Sequence, residues 1–545
     1  MNFNQLFKMI KKLYLLTTFH VLILALGASN AHGQGQFTLQ TDTVWVADTV
    51  KIHQNMVVPA GLTLSIQAGV VVEFQGNYSI DVYGKLMAIG TPANSILFTV
   101  SDTTMFADTT TLSGGWGGLR FLQNQTDTSV LSYCSFKYGK AVVPGAFWFL
   151  GGEDNKGGAV YANGYKSLII SKSLFERNHA NYYGGAIYVK NAQKFVLTDN
   201  IFRRNRTYDS GGAVSAEQSS FWIEGNLFQH NIAMNVTETI WGPMGSGRGG
   251  GFCAHMGTTG TIISNKFFNN MSVNGALYET AYNVSVVNNL IANNLATGLF
   301  NGHGYGISRY LNNTVVNNNY YTPGTPGIFY ESPHLTMRNN IIQGNTSSFG
   351  EPFQVWTVNS QFVNLSYSCI ADPPVYYYGE GNIAGPPLFV NPTLGSGLGY
   401  DGSLADWSLL DNSPCVNAGT PDTTGLGLPA TDLLGNPRIF GGRIDMGAIE
   451  NQQVVVALPQ NPLVNARVQV YPNPFRGSPR IVVNDASRLS SMELYNQKGQ
   501  LMGKIELSML NNGAIYELSK LPKGLYLLRT RFIDGSTETT KLIKE

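Results

Sequence analysis

Short apolar runs alternate with polar turn residues through the middle of this chain. In residues 181–205, "NYYGGAIYVKNAQKFVLTDNIFRRN", a glycine pair opens onto one apolar run, a second run follows, and the stretch closes on Asn200, Phe202 and Asn205. The apolar positions fall in β-branched and aromatic clusters bounded by turn residues, not at three- and four-residue intervals. They predict short strands rather than helices.

The phrase recurs seven times. Its apolar landmark falls at Phe175, Phe202, Phe228, Phe267, Ile291, Val315 and Ile342, at spacings of 27, 26, 39, 24, 24 and 27. Three residues after each landmark stand Asn178, Asn205, Asn231, Asn270, Asn294, Asn318 and Asn345. Two residues before it stand Ser173, Asn200, Asn226, Asn265, Asn289, Asn313 and Asn340. Such a period marks a solenoid, in which one rung cannot bury its own apolar side and neighbours must stack. Rungs of a parallel β-helix lie about 4.8 Å apart, so equivalent residues form ladders. Asn suits the corners because it tolerates left-handed backbone and its amide reaches the next rung.

Glycine marks at Gly158, Gly185, Gly212, Gly251, Gly275, Gly298 and Gly327 set the register of the first strand in each copy. Counting two residues on, the inward ladder is expected to be Val160, Ile187, Val214, Cys253, Leu277, Phe300 and Phe329. Tyr161, Tyr188, Tyr278 and Tyr330 are then expected to share one outward register.

The "GGAI…F..N" wording is similar to repeats of secreted bacterial surface proteins in the right-handed parallel β-helix superfamily. The resemblance covers roughly residues 113–370 and implies an all-β, right-handed solenoid. Residues 35–112, with "VVPAGLTLSIQAGVVVEFQGNYSIDVYGKLMAIGT" at 57–91, resemble the cap and first coils of such proteins.

The two ends read differently. Residues 1–34 carry Lys8, Lys11 and Lys12, an apolar stretch from Leu13 to Leu26 and small residues from Ala28 to Ala31, the layout of a secretory signal peptide. No later segment is long and apolar enough to span a membrane as a helix. Residues 371–450 resemble a closing segment expected to cover the open end of the stack. Arg438, Arg443, Asp432 and Asp445 are candidates for its polar lock, and a calcium site on Asp432 and Asp445 is the alternative. A linker at 451–466 leads to a segment, 467–545, whose alternating strands predict a small β-sandwich. Its landmarks "VQVYPNPFRGSPRIVV", "MELYNQKGQL", "LPKGLYLLRT" and "TTKLIK" resemble the C-terminal sorting domain of type IX secretion substrates. That resemblance implies a Bacteroidota-type exporter as partner, passage across the outer membrane, and removal of the domain after delivery.

Composition narrows the class. The 545 residues include 61 Gly, 43% hydrophobic and only 13% charged residues, too apolar for disorder. A formal charge of +1, which falls when the lysines of the leader leave, gives nucleic acid nothing to bind. Of four cysteines, Cys134 and Cys253 lie about four rungs apart, too far to pair. Cys369 and Cys415 flank one C-terminal segment and are a candidate disulfide.

Candidate chemistry is sparse. The acids between 157 and 345 are Glu176, Asp199, Asp209, Glu217, Glu224, Glu238, Glu279 and Glu331. Asp199 and Glu224 on adjacent rungs, near Arg203, are the candidate catalytic set for a polysaccharide lyase or glycoside hydrolase. The competing reading makes them solvent-facing rung charges. The histidines show no metal-ligand spacing, and no cofactor is expected. Two insertions at the same point of the repeat, 140–156 and 235–248, carry Trp148 and Trp241. With Tyr161, Tyr188, Tyr278 and Tyr330 they are the candidate ligand-binding residues, aromatic faces on which a glycan could stack. The leading expectation is binding or adhesion at the cell surface, with the enzyme as alternative and a passive spacer as a third reading.

Overall fold

The computed structural model describes residues 36–145, 152–234, 247–255, 257–302, 306–320, 327–331, 334–347, 354–357, 363–371, 379–453, 468–471, 473–477, 479–483, 488–505 and 516–545. They divide into two compact units, Met1–Val454 and Val455–Glu545.

The first unit is built from three twelve-stranded parallel sheets, and each rung contributes one strand to each sheet. The first sheet runs from Phe37–Thr38 to Val355–Thr357, the second from Thr43–Trp45 to Val363–Ser366, and the third from Thr49–Ile52 to Cys369–Ile370. The seven copies of the phrase are rungs five to eleven. On the third sheet Phe136, Phe175, Phe202, Phe228, Phe267, Ile291, Val315 and Ile342 pair one over the next. Consecutive Phe rings from Phe136 to Phe267 stack at 4.5–4.9 Å between centroids, with planes within 14°. Each of these rings is fully buried only because a rung lies above and below it.

The asparagines form two continuous buried ladders. The Asn205 side-chain oxygen accepts from both the backbone N–H and the side-chain amide of Asn178, at 3.0 and 2.9 Å, and the Asn205 amide donates to the Phe175 carbonyl at 2.9 Å. The same three bonds recur from Asn205 to Asn231 and from Asn231 to Asn270. The pattern continues through Asn294 and Asn318 to Asn345. A parallel ladder runs from Asn200 through Asn226, Asn265, Asn289 and Asn313 to Asn340.

One corner expectation needs correcting. The left-handed residue at each corner is not the ladder Asn but the residue before it: Arg177, Arg204, His230, Asn269, Asn293 and Asn317 at one corner. Lys172, Asp199, Gly225, Ser264, Asn288, Asn312 and Asn339 do the same at the other. The bend turns the next side chain inward, so its amide serves the ladder while the left-handed residue stays outside.

The first-sheet register also departs from expectation. Its inward ladder is Val160, Ile187, Val214, Phe252, Leu277, Leu299 and Ile328. Cys253, Phe300 and Phe329 fall in the outward register with Tyr161, Tyr188 and Tyr278. Tyr330 pairs instead with Asn301, which pairs with Glu279, and it is fully buried. The cause is the glycine spacer, which has three glycines at 249–251 and a shorter lead from Gly298 and Gly327. A one-residue slip moves a side chain to the opposite face of a strand.

The closing segment first covers the end of the third sheet, where Glu380 and Ile383 hydrogen-bond to Tyr367, Ser368 and Ile370 of the last rung, and then lies along the side of the rod. Trp407, Leu409, Cys415, Met446 and Ile449 bury Phe268, Leu290, Ala292, Val316 and Ile341 on the outer face of the third sheet. Tyr400 and Gly402 bond to Asn269, and Ser403 reaches one rung further back to Gln229. The segment is therefore a flank cover over several rungs, because those rungs are apolar on both faces of the sheet.

In the second unit, Val468–Tyr471 pairs antiparallel with Arg480–Val483, and four antiparallel strands run in the order Leu501–Ile505, Leu489–Asn496, Gly524–Phe532, Thr537–Lys544. Val468, Ile481, Met492, Leu528 and Leu542 belong to one shared core.

Candidate functional site

On the outer face of the first sheet two registers run side by side across the glycine pairs, and the groove between them is filled, with Tyr161, Tyr188, Ser210, Ser215 and Cys253 all buried. One wall is Tyr161, Tyr188, Ser215, Cys253 and Tyr278. The other is Lys156, Tyr183, Ser210, Arg248 and Asn274, joined by single parallel bridges. Between the walls the chain bends through Gly157, Gly184, Gly211, Gly249 and Gly275, each with φ between 64° and 71°. A Cβ on Gly184 would lie 2.1 Å from the Ile187 carbonyl oxygen, so no larger residue fits there.

The walls touch through charge and ring contacts. Lys156 Nζ lies 5.1 Å from the Tyr188 ring and 5.6 Å from that of Tyr183. The Tyr183 and His255 rings are 4.8 Å apart. The Arg248 guanidinium lies 5.5 Å from the Tyr278 ring, and that of Arg120 lies 4.4 Å from Tyr161. Glu153 accepts from Lys156 at 2.9 Å and from the Tyr161 hydroxyl. Glu217 accepts from the Tyr188 hydroxyl at 2.6 Å and pairs with Lys190 at 2.9 Å. His255 Nε2 meets Ser215 Oγ at 3.0 Å and Cys253 Sγ at 3.5 Å.

These contacts set the protonation states. Burial raises both carboxylates, but hydrogen bonds from tyrosine and lysine outweigh it, so Glu153 and Glu217 sit below the ordinary carboxylate range. Burial, with the carboxylate beside each, pushes the Tyr161 and Tyr188 phenols up. Burial lowers His255 to about 4 and raises the Cys253 thiol. Near neutrality the groove therefore offers ionised carboxylates, neutral imidazole and protonated phenols. Neither carboxylate is held protonated as the general acid that glycoside hydrolysis requires.

Tyr161, Tyr188 and Tyr278 share the outward register but are buried, at 2, 0 and 6% exposure. Their rings stack along the rod: Tyr161 on Tyr188 at 5.7 Å, Tyr278 on Phe300 at 5.2 Å, and Phe300 on Phe329 at 4.3 Å. Stacked rings cover one another's faces and turn their edges outward, so this ladder does not offer the sugar-stacking faces expected of it. Trp148 and Trp241 lie outside the described residues.

Asp199 and Glu224 are neighbours on adjacent rungs, with Asp199 N–H donating to the Glu224 carbonyl at 3.0 Å, while Arg203 is engaged elsewhere. Asp199 occupies a left-handed corner, Glu224 ends a second-sheet strand and accepts from the Trp222 indole at 2.7 Å, and Arg203 pairs with Glu176 at 2.8 Å on the third sheet. They stand apart from the groove.

In the cover, Arg438 pairs with Glu450 at 2.8 Å and donates to Asn288 at 2.8 Å. Arg443 donates to the Gly419 and Ala418 carbonyls. Both oxygens of Asp432 and both of Asp445 accept backbone N–H groups. Both carboxylates are thus held by backbone N–H donors, and the ion pair of the lock is Arg438 with Glu450. Among the described residues, no cluster of three or more His, Cys, Asp or Glu side chains fits a metal.

Sequence reasoning missed Lys156, Tyr183, Glu217, His255 and Arg248. The available signal was the residue immediately before each glycine pair, which is Lys156, Tyr183, Ser210 and Arg248 in successive copies. The ends of the two insertions supply Glu153, Lys156 and Arg248 to the groove.

Two family models match the chain. Residues 88–291 match the right handed beta helix region, and residues 469–545 match the secretion system C-terminal sorting domain. No curated protein matches it. With its stacked parallel rungs and its separate antiparallel C-terminal unit, the chain is a right-handed parallel β-helix protein carrying a type IX secretion sorting domain, exported to the cell surface or the extracellular space.

Proposed function

We propose that the exported rod binds acidic glycans along the groove of its first sheet, as a surface binding or adhesion protein. The observation that carries this reading is Arg248. Lys156, Lys190 and Arg120 each hold a carboxylate, whereas Arg248 forms no ion pair among the described residues. Burial lowers its pKa, and Tyr278, Cys253 and Asp209 act on it electrostatically to raise it. A half-buried guanidinium laid on an aromatic ring, beside hydroxyls and a neutral imidazole, suits a carboxylate or sulfate on a polyhydroxylated ligand.

The test is retention of the secreted protein on immobilised acidic and neutral polysaccharides. Acidic polymers are expected to retain it, with Arg248→Gln weakening retention about tenfold. Equal retention on neutral polymers, or indifference to Arg248→Gln, would overturn the reading. Release of unsaturated products or new reducing ends would move the assignment to a lyase or hydrolase.

A further inference from the structure

The flank cover meets the last rung at two thiols. Cys369 begins the final strand of the third sheet, where it pairs with Ile341, and Cys415 belongs to the cover. Both are fully buried in one cluster with Trp407, Leu409 and Met446; the Cys369 thiol donates to the Gly385 carbonyl at 3.1 Å, and Cys369 is the neighbour that most raises the Cys415 thiol. Both are free thiols in this structure. Their backbones are fixed independently: Cys369 N–H donates to the Asn340 carbonyl at 2.8 Å, and the Cys415 carbonyl accepts from Met446 at 3.0 Å. The other two cysteines are remote. Cys134 lies on the fourth rung of the third sheet, roughly 38 Å down the rod from Cys369 by strand spacing, and Cys253 lies on the first sheet.

The cover has little regular structure of its own. Its one strand pair is Phe389–Asn391 with Asp406–Leu409, and two short 3-10 turns complete it. It is held by side-chain packing and by loop hydrogen bonds, which makes a covalent tie to the rod consequential. The chain is an export substrate and passes through an envelope compartment in which thiols oxidise.

We propose that Cys369 and Cys415 become joined by a disulfide in the exported protein, fastening the flank cover to the last rung of the rod. The co-reactant is a disulfide-bearing thiol oxidant of the envelope. One cysteine thiolate attacks the oxidant disulfide to give a mixed disulfide, and the second cysteine thiolate then displaces the oxidant. The new S–S bond forms, two protons and two electrons leave the chain, and the oxidant departs as a dithiol. Once the cover is docked, the contact with Cys369 and burial keep the Cys415 thiol protonated, which slows exchange. Oxidation therefore accompanies docking of the cover, and the bond records that docking has occurred.

The test is thiol counting on the wild-type secreted protein. Denatured without reductant and alkylated, it is expected to take two adducts, on Cys134 and Cys253, and four after reduction. Digestion is expected to yield one cross-linked peptide pair containing Cys369 and Cys415. Reduction should lower the melting temperature of the wild type and open residues 379–453 to protease, and should leave the melting temperature of the Cys369→Ala, Cys415→Ala double variant unchanged. Four adducts without reductant, or a bridge from either cysteine to any other partner, would overturn the proposal.

Discussion

On the third sheet the earlier copies of the repeat meet water and the later ones meet protein, over the same inward wall. Across rungs four to six the outward side chains are charged: Glu176 pairs with Arg203 at 2.8 Å and with Lys137 at 3.5 Å, and Ile201 beside them is 41% exposed. Across rungs eight to eleven the outward positions include Phe268, Leu290, Ala292, Val316 and Ile341, all buried beneath the cover. The corners differ in step. Lys172, Asp199, Arg177 and Arg204 hold the left-handed corners early, while Asn269, Asn288, Asn293, Asn312, Asn317 and Asn339 hold them later. Those late asparagines grip the cover. Asn293 donates to the Gly395 carbonyl at 3.0 Å, Asn312 donates to the Asp445 carbonyl at 3.1 Å, and Asn339 accepts from Thr420 N–H at 2.7 Å. Stacking needs only the inward wall and the Asn ladders, so the outward side is free to be assigned, and this chain assigns its two halves differently.

The largest expected effect lies in the cover lock. Arg438→Ala leaves Glu450 buried without its partner and is expected to cost about 3–5 kcal/mol, read as protease cleavage confined to residues 379–453. Next comes the contrast between halves. Phe268→Ala is expected to cost about 3 kcal/mol, whereas Ile201→Ala on the bare half is expected to stay within about 0.5 kcal/mol. Similar losses at both positions in denaturant titration would break the comparison. The smallest is at the corners: Asn312→Ala is expected to cost about 1–3 kcal/mol by orphaning cover carbonyls. Lys172→Ala, at the equivalent early corner, should be near neutral, and amide exchange in the cover should rise for the first variant only.

Part of this contrast was readable in advance. Asn269-Asn270, Asn288-Asn289, Asn293-Asn294, Asn312-Asn313, Asn317-Asn318 and Asn339-Asn340 are doublets in which the first Asn faces outward and the second joins the ladder. The doublets begin on rung eight, one rung after the cover first touches the rod at Leu227 and Gln229. The runs Phe267-Phe268 and Val315-Val316 likewise lack the alternation of a strand with one wet face. The groove was less legible. Lys156, Tyr183 and Arg248 precede turns, and only the left-handed glycine after each brings that register beside the first sheet.

By itself the sequence determined the rungs, the inward Phe wall, the buried Asn corners and the identity of the C-terminal unit. Each of these is a periodic or local pattern, and a ladder repeats the same physics at every step. Tertiary structure alone decided which way Cys253, Phe300 and Tyr330 face, where the closing segment lies, and which charges meet in the groove. A single-residue slip in a glycine spacer inverts a side chain without disturbing the period, and contacts between registers depend on how the turns fold back. The slip shows in the sequence only as one glycine more or fewer before the strand, and the contacts between registers do not show in the period at all.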